Sequence, residues 1–152
     1  MIPARSTPPP RDGGFDLERF VEAQADGVHD RAVAELRGGR KRSHWMWFVF
    51  PQVAGLGSSE MAARYAIRSR AEAEAYLAHP VLGPRLLGAT DTVLGAPSPD
   101  VVTLLGPVDA LKLRSCMTLF AATAPDPASF RAVLARWFDG GADSATLALL
   151  EG

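Results

Sequence analysis

Apolar residues recur along this chain at helical spacing. Leu17, Phe20, Val21 and Gln24 would share one face of a helix, and Val28, Ala32 and Leu36 continue the stripe past an interruption at Gly27. Asp16 is placed to cap that helix, Phe15 and Phe20 have the spacing of a hydrophobic staple, and Gly38-Gly39 ends the run. Ser59 opens a helix through Met61, Arg64 and Tyr65, and Ser69-Arg70-Ala71-Glu72 has the form of a capping box leading a helix to about Ala78. Pro80 suits the first turn of the next, in which Val81, Leu82, Leu86, Leu87, Thr90, Val93 and Leu94 make a wide apolar face up to Gly95. Ser98-Pro99 and Gly106-Pro107 each signal a new start, and the helix from Pro107 carries Ala110, Leu113, Met117, Phe120 and Ala124 on one side. Asp126-Pro127 leads a helix with Phe130, Val133, Leu134 and Trp137 inward; Gly140-Gly141 ends it, and Asp143 or Ser144 begins a last short helix. No stretch shows the strict alternation of a half-buried strand. The pattern therefore predicts an all-α single domain over 15–152, an irregular array of about seven short helices.

The segment from His44 to Phe50 needs separate treatment, because its even and odd positions are alike apolar or aromatic. Strand alternation fails there, so Ser43 is expected to cap a short buried helical piece that Pro51 ends. Trp47, Val49 and Phe50 are expected in the core, with His44, Trp45 and Gln52 on a polar margin. Residues 1–14 differ again, with four prolines, two glycines and no apolar run. Such a stretch buries too little surface to offset the entropy of ordering, and is expected to be a flexible tail. It lacks the apolar stretch of a signal peptide, and nothing approaches the ~20 apolar residues of a membrane span, which points to a cytoplasmic protein without membrane contact.

Charge narrows the functional classes. At 152 residues the chain can bury roughly 70% of its unfolded surface, and a net charge of −1 makes general nucleic-acid binding, which rests on neutralising many phosphates, a poor fit. The distribution is uneven, however. From Leu36 to Ser59 there is no acidic residue, yet Arg37, Arg40, Lys41 and Arg42 are present; from Ala110 to Pro125 there are Lys112 and Arg114, again without an acid. Lys41 and Lys112 are the two lysines of the chain, one in each stretch, and an ammonium is a compact point charge that an arginine fork does not replace. The lone cysteine, Cys116, excludes an internal disulfide, and His29, His44 and His79 have no metal-site spacing, so no metal is expected. Dinucleotide, Walker and nucleophile-elbow motifs are missing, and no cofactor is expected.

These features favour one anion site, formed if the two acid-free stretches meet. Lys41, Arg42 and Lys112 would hold phosphate of a nucleotide or phosphorylated metabolite and His44 and Trp45 would orient or stack on a ring, with Arg40, Ser43, Gln52 and Ser115 around them. His44 is the candidate catalytic acid or base in an enzyme version, the substrate being a glycosidic bond to a nucleotide-like base. A third reading is a protein-interaction module whose partner docks on an exposed aromatic block.

Several stretches resemble one family: Asp16-Leu17-Glu18-Arg19-Phe20-Val21-Glu22-Ala23-Gln24, the block from Gly39 through Arg40-Lys41-Arg42-Ser43-His44-Trp45-Met46-Trp47-Phe48-Val49-Phe50-Pro51-Gln52, Tyr65-Ala66-Ile67, the run from Ala75 to Leu86, and Lys112-Leu113-Arg114-Ser115-Cys116-Met117-Thr118-Leu119-Phe120. On these the chain resembles the bacterial domain of unknown function 1810 family, over about Phe15 to Leu150. The resemblance implies an irregular array of about seven helices. Some members carry a calpastatin label, which would imply a disordered, repeated inhibitor, and this chain has no repeat. A looser likeness, in the order of a Trp-rich block, a Lys-bearing helix and a terminal Leu-Leu-Glu, points to the ADP-ribose-associated N-glycosidase superfamily and carries no catalytic residue across.

Overall fold

The computed structural model describes residues 14–151, so all of the expected tail but Gly14 lies outside the described residues. Within them the helices are α1 (Glu18–Ala23), α2 (Val28–Arg37), α3 (Met46–Val49), α4 (Glu60–Arg64), α5 (Arg70–Ala78), α6 (Leu82–Leu94), α7 (Val101–Leu105), α8 (Pro107–Thr123), α9 (Ala128–Phe138) and α10 (Ser144–Glu151). The domain is all-α as expected: α2, α5, α6, α8, α9 and α10 are the longer helices, joined by pieces of one or two turns. No helix among the described residues is long and apolar enough to cross a membrane.

The 17-residue α8 is the axis on which the others pack, with α9, α7, α10, α5 and α3 laid against it. Of the expected stripe, Ala110, Leu113, Met117 and Phe120 are buried and Ala124, just past the helix end, is half-buried; Ser115, Cys116, Thr118, Leu119 and Thr123 are buried as well. The helix is thus enclosed on most sides, where the spacing had suggested one. Two of its hydroxyls fit that surrounding by turning back on their own helix, Thr118 donating to Arg114 at 2.8 Å and Thr123 to Leu119 at 3.0 Å.

Local signals were used, though often by a neighbour. Gly27 separates α1 from α2 with φ of 81°, and Pro107 stands at the head of α8 after Gly106. Asp16 does not cap α1; its own φ is 55°, and its carbonyl accepts from the Arg19 guanidinium. Ser69 accepts from the Glu72 amide at 3.0 Å, while Glu72 reaches back to Arg68 N at 2.8 Å and pairs with Arg19. The helix expected from Pro80 starts at Leu82, because His79 Nδ1 accepts from the amides of Val81 and Leu82. Asp100, not Ser98, caps α7 by accepting from Thr103 N. Gly83 is required sterically, since a Cβ there would lie 2.1 Å from the Leu77 carbonyl oxygen, where α5 and α6 cross.

One feature is not helical. Val53 and Ile67 form an isolated parallel bridge, with Ile67 N donating to Gln52 O and Ala54 N to Ile67 O, both at 2.8 Å. The bridge ties together the two ends of the segment that carries α4.

Candidate functional site

The segment that follows α2 is shaped by a carboxylate. Glu35, on the last turns of α2, accepts from Arg42 N at 2.7 Å, Ser43 N at 2.9 Å, the Ser43 hydroxyl, and Trp45 Nε1 at 2.9 Å. Gly39, at φ of 81°, lets the chain turn back, and its missing Cβ would meet the Pro97 carbonyl at 2.5 Å. Partial burial opposes ionisation of Glu35, but the Ser43 hydroxyl, the Arg42 amide, the Trp45 indole and the Ser43 amide together hold its pKa down at about 2. Ser43 therefore stabilises a loop and does not cap α3, where Trp45 precedes the first residue.

The same carboxylate reverses the expected roles of two tryptophans. Trp45 is 1% exposed and belongs to the core, since its indole N–H reaches the Glu35 carboxylate at the margin of that core. Trp47 instead is half-buried and lines a cleft, with the Lys112 ammonium 4.1 Å from its ring centroid.

The two acid-free stretches do meet, and they meet at an acid. Asp109, one residue ahead of the second stretch, lies 2.9 Å from Lys41 Nζ and 3.4 Å from Lys112 Nζ. The Lys41 side chain is only 9% exposed, against 20% for Lys112. Lys41 also donates through its backbone to Leu104 O and through its ammonium to Ser43 O, and it lies over the Trp45 ring. Two ammonium groups share one carboxylate, so the group keeps one net positive charge, and Lys112 is its less committed member.

Lys112 opens on a cleft of about 500 Å³ between the 47–65 segment and α8. Its walls mix apolar surface from Trp47, Leu56, Tyr65 and Leu111 with the polar groups of Gln52 and Ser115. Asp143, at the head of α10, closes one side; it accepts from Ser115 Oγ at 2.9 Å and Thr146 Oγ1 at 2.5 Å. Partial burial raises its pKa, but the hydroxyls of Thr146 and Ser115 and the amides of Thr146 and Ala145 outweigh it and leave the carboxyl below its ordinary value. Arg114 also borders the cleft, its guanidinium donating to Gly141 O at 2.8 Å and Ala142 O at 3.1 Å.

Of the residues singled out in the sequence, Gln52, Lys112 and Ser115 line this cleft. Lys41 stands behind it, joined through Asp109, and Ser43 and Trp45 belong to the Glu35 knot. Arg40, Arg42 and His44 are exposed and are not among the lining residues. Trp47, Tyr65 and Asp143 were not assigned to a site from the sequence, nor were Glu35 and Asp109. The last two had a signal: each stands one residue before an acid-free stretch.

Fold and cleft together define a small all-α protein with a cationic, aromatic-walled groove beside its central helix. The chain belongs to the DUF1810 family, described as proteins of unknown function, whose family model matches residues 14–150. It is similar to the conserved hypothetical protein Rv1873 from Mycobacterium tuberculosis, with 53% identity and a TM-score of 0.87; the match covers 91% of this chain and 98% of that one. No curated protein matches the chain in sequence.

Proposed function

We propose that this protein binds a small anionic ligand, of the nucleotide or phosphorylated-metabolite kind, in the cleft between the 47–65 segment and α8. The observation that carries the reading is Lys112: its ammonium faces the Trp47 ring at 4.1 Å, shares Asp109 with Lys41, and borders the 500 Å³ cleft. A phosphoryl or carboxylate group at Lys112 meets the spare positive charge of the Lys41–Asp109–Lys112 group. A flat body then lies against Trp47, Tyr65 and Leu111, where burying apolar surface adds to affinity. Ionised Asp143 disfavours a second anionic group at the Ser115 end, so the preferred ligand carries its charge at one end. No specific observation favours a glycosidase, since His44 is exposed and outside the lining. Nor does one favour a partner docking on an aromatic block, since Trp45 and Phe50 are buried.

The test is a thermal-shift screen with nucleoside monophosphates, ADP-ribose and sugar phosphates, run on wild type and Lys112→Met. Methionine keeps an apolar stem on Trp47 while removing the charge. A ligand at 100 times its Kd adds about 2.7 kcal/mol of stability, which a melting curve resolves. A shift with one anion that disappears in Lys112→Met supports the reading. No shift with any of them, or a shift that survives the substitution, overturns it.

A further inference from the structure

A second groove, of about 510 Å³, runs between α2 and α6 on a face the proposed function does not use. His29, Arg37 and Arg85 border it, together with Gly88 and the exposed Asp30. Its cations are uncommitted. Lys41, Lys112 and Arg19 each have a carboxylate within 4 Å, whereas among the described residues Arg37 and Arg85 have none. Arg85 makes one long hydrogen bond, 3.3 Å to Gln24 Oε1.

Two further observations point to the same place. His29 Nδ1 is buried with no hydrogen-bond partner among the described residues, and a buried polar atom left unpaired is a cost that a bound group relieves. Gly88 sits mid-helix in α6 without a steric reason: a Cβ there would meet nothing within 4 Å. In Gly83, on the same helix, the missing side chain is explained by the Leu77 carbonyl at 2.1 Å. A glycine inside a helix destabilises it by up to ~1 kcal/mol relative to alanine, and what Gly88 leaves in return is an open groove floor beside two arginines.

We propose that the α2–α6 groove is an oxyanion site, taking inorganic phosphate or the phosphoryl or sulfuryl group of a small molecule between Arg85 and His29, with Arg37 adding to the field. Arg37 lies about 12 Å further along α2, at 1.5 Å per residue; it attracts the anion and binds the far end of a longer ligand. The arginine fork matches a tetrahedral oxyanion in two parallel hydrogen bonds. Burial, and then Arg85, hold the imidazole below its ordinary pKa, with Asp30 acting the other way; a neutral ring presents a hydrogen-bond donor from Nδ1 in one of its tautomers.

Titration of the whole chain with sodium phosphate and, separately, sodium sulfate at constant ionic strength tests the site, followed by the backbone amide resonances of residues 85–92. Sulfate does not titrate near neutrality, so it separates the protein's own response from that of phosphate. Saturable shifts are expected well below about 50 mM, given the roughly millimolar Kd of a single small-anion subsite. Arg85→Gln and Gly88→Leu should each weaken binding by about tenfold or more, the leucine by filling open space on the floor. Lys112→Met should leave it unchanged, which distinguishes this groove from the cleft on α8. Should Arg85→Gln fail to fold, Arg85→Lys takes its place with an expected loss of about threefold or more, since the two parallel hydrogen bonds of the fork are gone. Shifts that do not saturate, or wild-type affinity in any variant other than Lys112→Met, would overturn the proposal.

Discussion

Replacing Glu35 with glutamine probes how the segment leading to the cleft is held. The carboxylate accepts four hydrogen bonds, from Arg42, Ser43 and Trp45, and its pKa falls from an ordinary 4.5 to about 2. Each tenfold change in proton affinity corresponds to ~1.4 kcal/mol, so full expression of that fall amounts to about 3 kcal/mol. Glu35 lies at a partly exposed margin, where water screens the interaction, and roughly half of this should appear as folding stability. Because the folded-state pKa is depressed, the contribution is present above pH ~4.5 and is lost as pH falls toward 2. Urea unfolding of wild type and Glu35→Gln at pH 7 should therefore differ by about 1.5–2 kcal/mol, or ~4–6 °C in Tm for a domain of this size. Repeated between pH 5 and 3, the gap should narrow as the carboxyl takes up its proton in the unfolded chain while it stays ionised in the native one. The Trp45 indole N–H resonance gives a local readout, moving upfield in the variant as a charged acceptor is replaced by a neutral amide oxygen. A gap that stays constant with pH, or no gap at pH 7, would refute the reasoning.

Asp109→Asn leaves Lys41 as a nearly buried cation without its counter-charge, and should destabilise by about 2–4 kcal/mol in denaturant unfolding. Adding Lys41→Met to that variant should recover part of the loss, because the unpaired charge is then gone. Gly83→Ala drives a methyl group to within 2.1 Å of the Leu77 carbonyl, and a loss of about 3 kcal/mol or more is expected from equilibrium melts, the α5–α6 crossing being forced apart. Cys116 is fully buried, and burial raises its thiol pKa well above the ordinary value. It should react with a thiol reagent at the rate of unfolding in native buffer and rapidly in denaturant.

The helices were legible because their apolar faces repeat at 3.6 residues and their ends are marked by glycine, proline and capping side chains. Helix starts were less so where a tertiary partner competed for the capping group. Ser43 is the instance: its hydroxyl binds Glu35 eight residues back, a contact no local pattern contains. At the site, the sequence placed Gln52, Lys112 and Ser115 on one cleft but mistook which tryptophan faces it. Both lie in one apolar run, so only the location of an indole acceptor separates them, and that acceptor sits on another helix. The acid-free stretches were read as free positive charge. In the fold Glu35 binds the backbone of the first stretch and Asp109 binds both lysines, so the two acids just outside the stretches shape them and leave most of their six cations without a carboxylate partner among the described residues.

The Val53–Ile67 bridge gives the outer wall of the cleft an architectural independence. The 13 residues from Ala54 to Ala66 run between its two ends; those from Ala54 to Arg64, α4 included, contain no buried residue, while Tyr65 packs against Phe20 and Phe48 in the core. Lengthening a loop whose ends are already joined costs little, about 0.6 kcal/mol per doubling. Relatives that exchange this excursion for a longer or shorter one can reshape the cleft mouth while α8, Lys112 and the packing beneath stay as they are. It is the portion of the fold whose length and shape can change without refolding the rest.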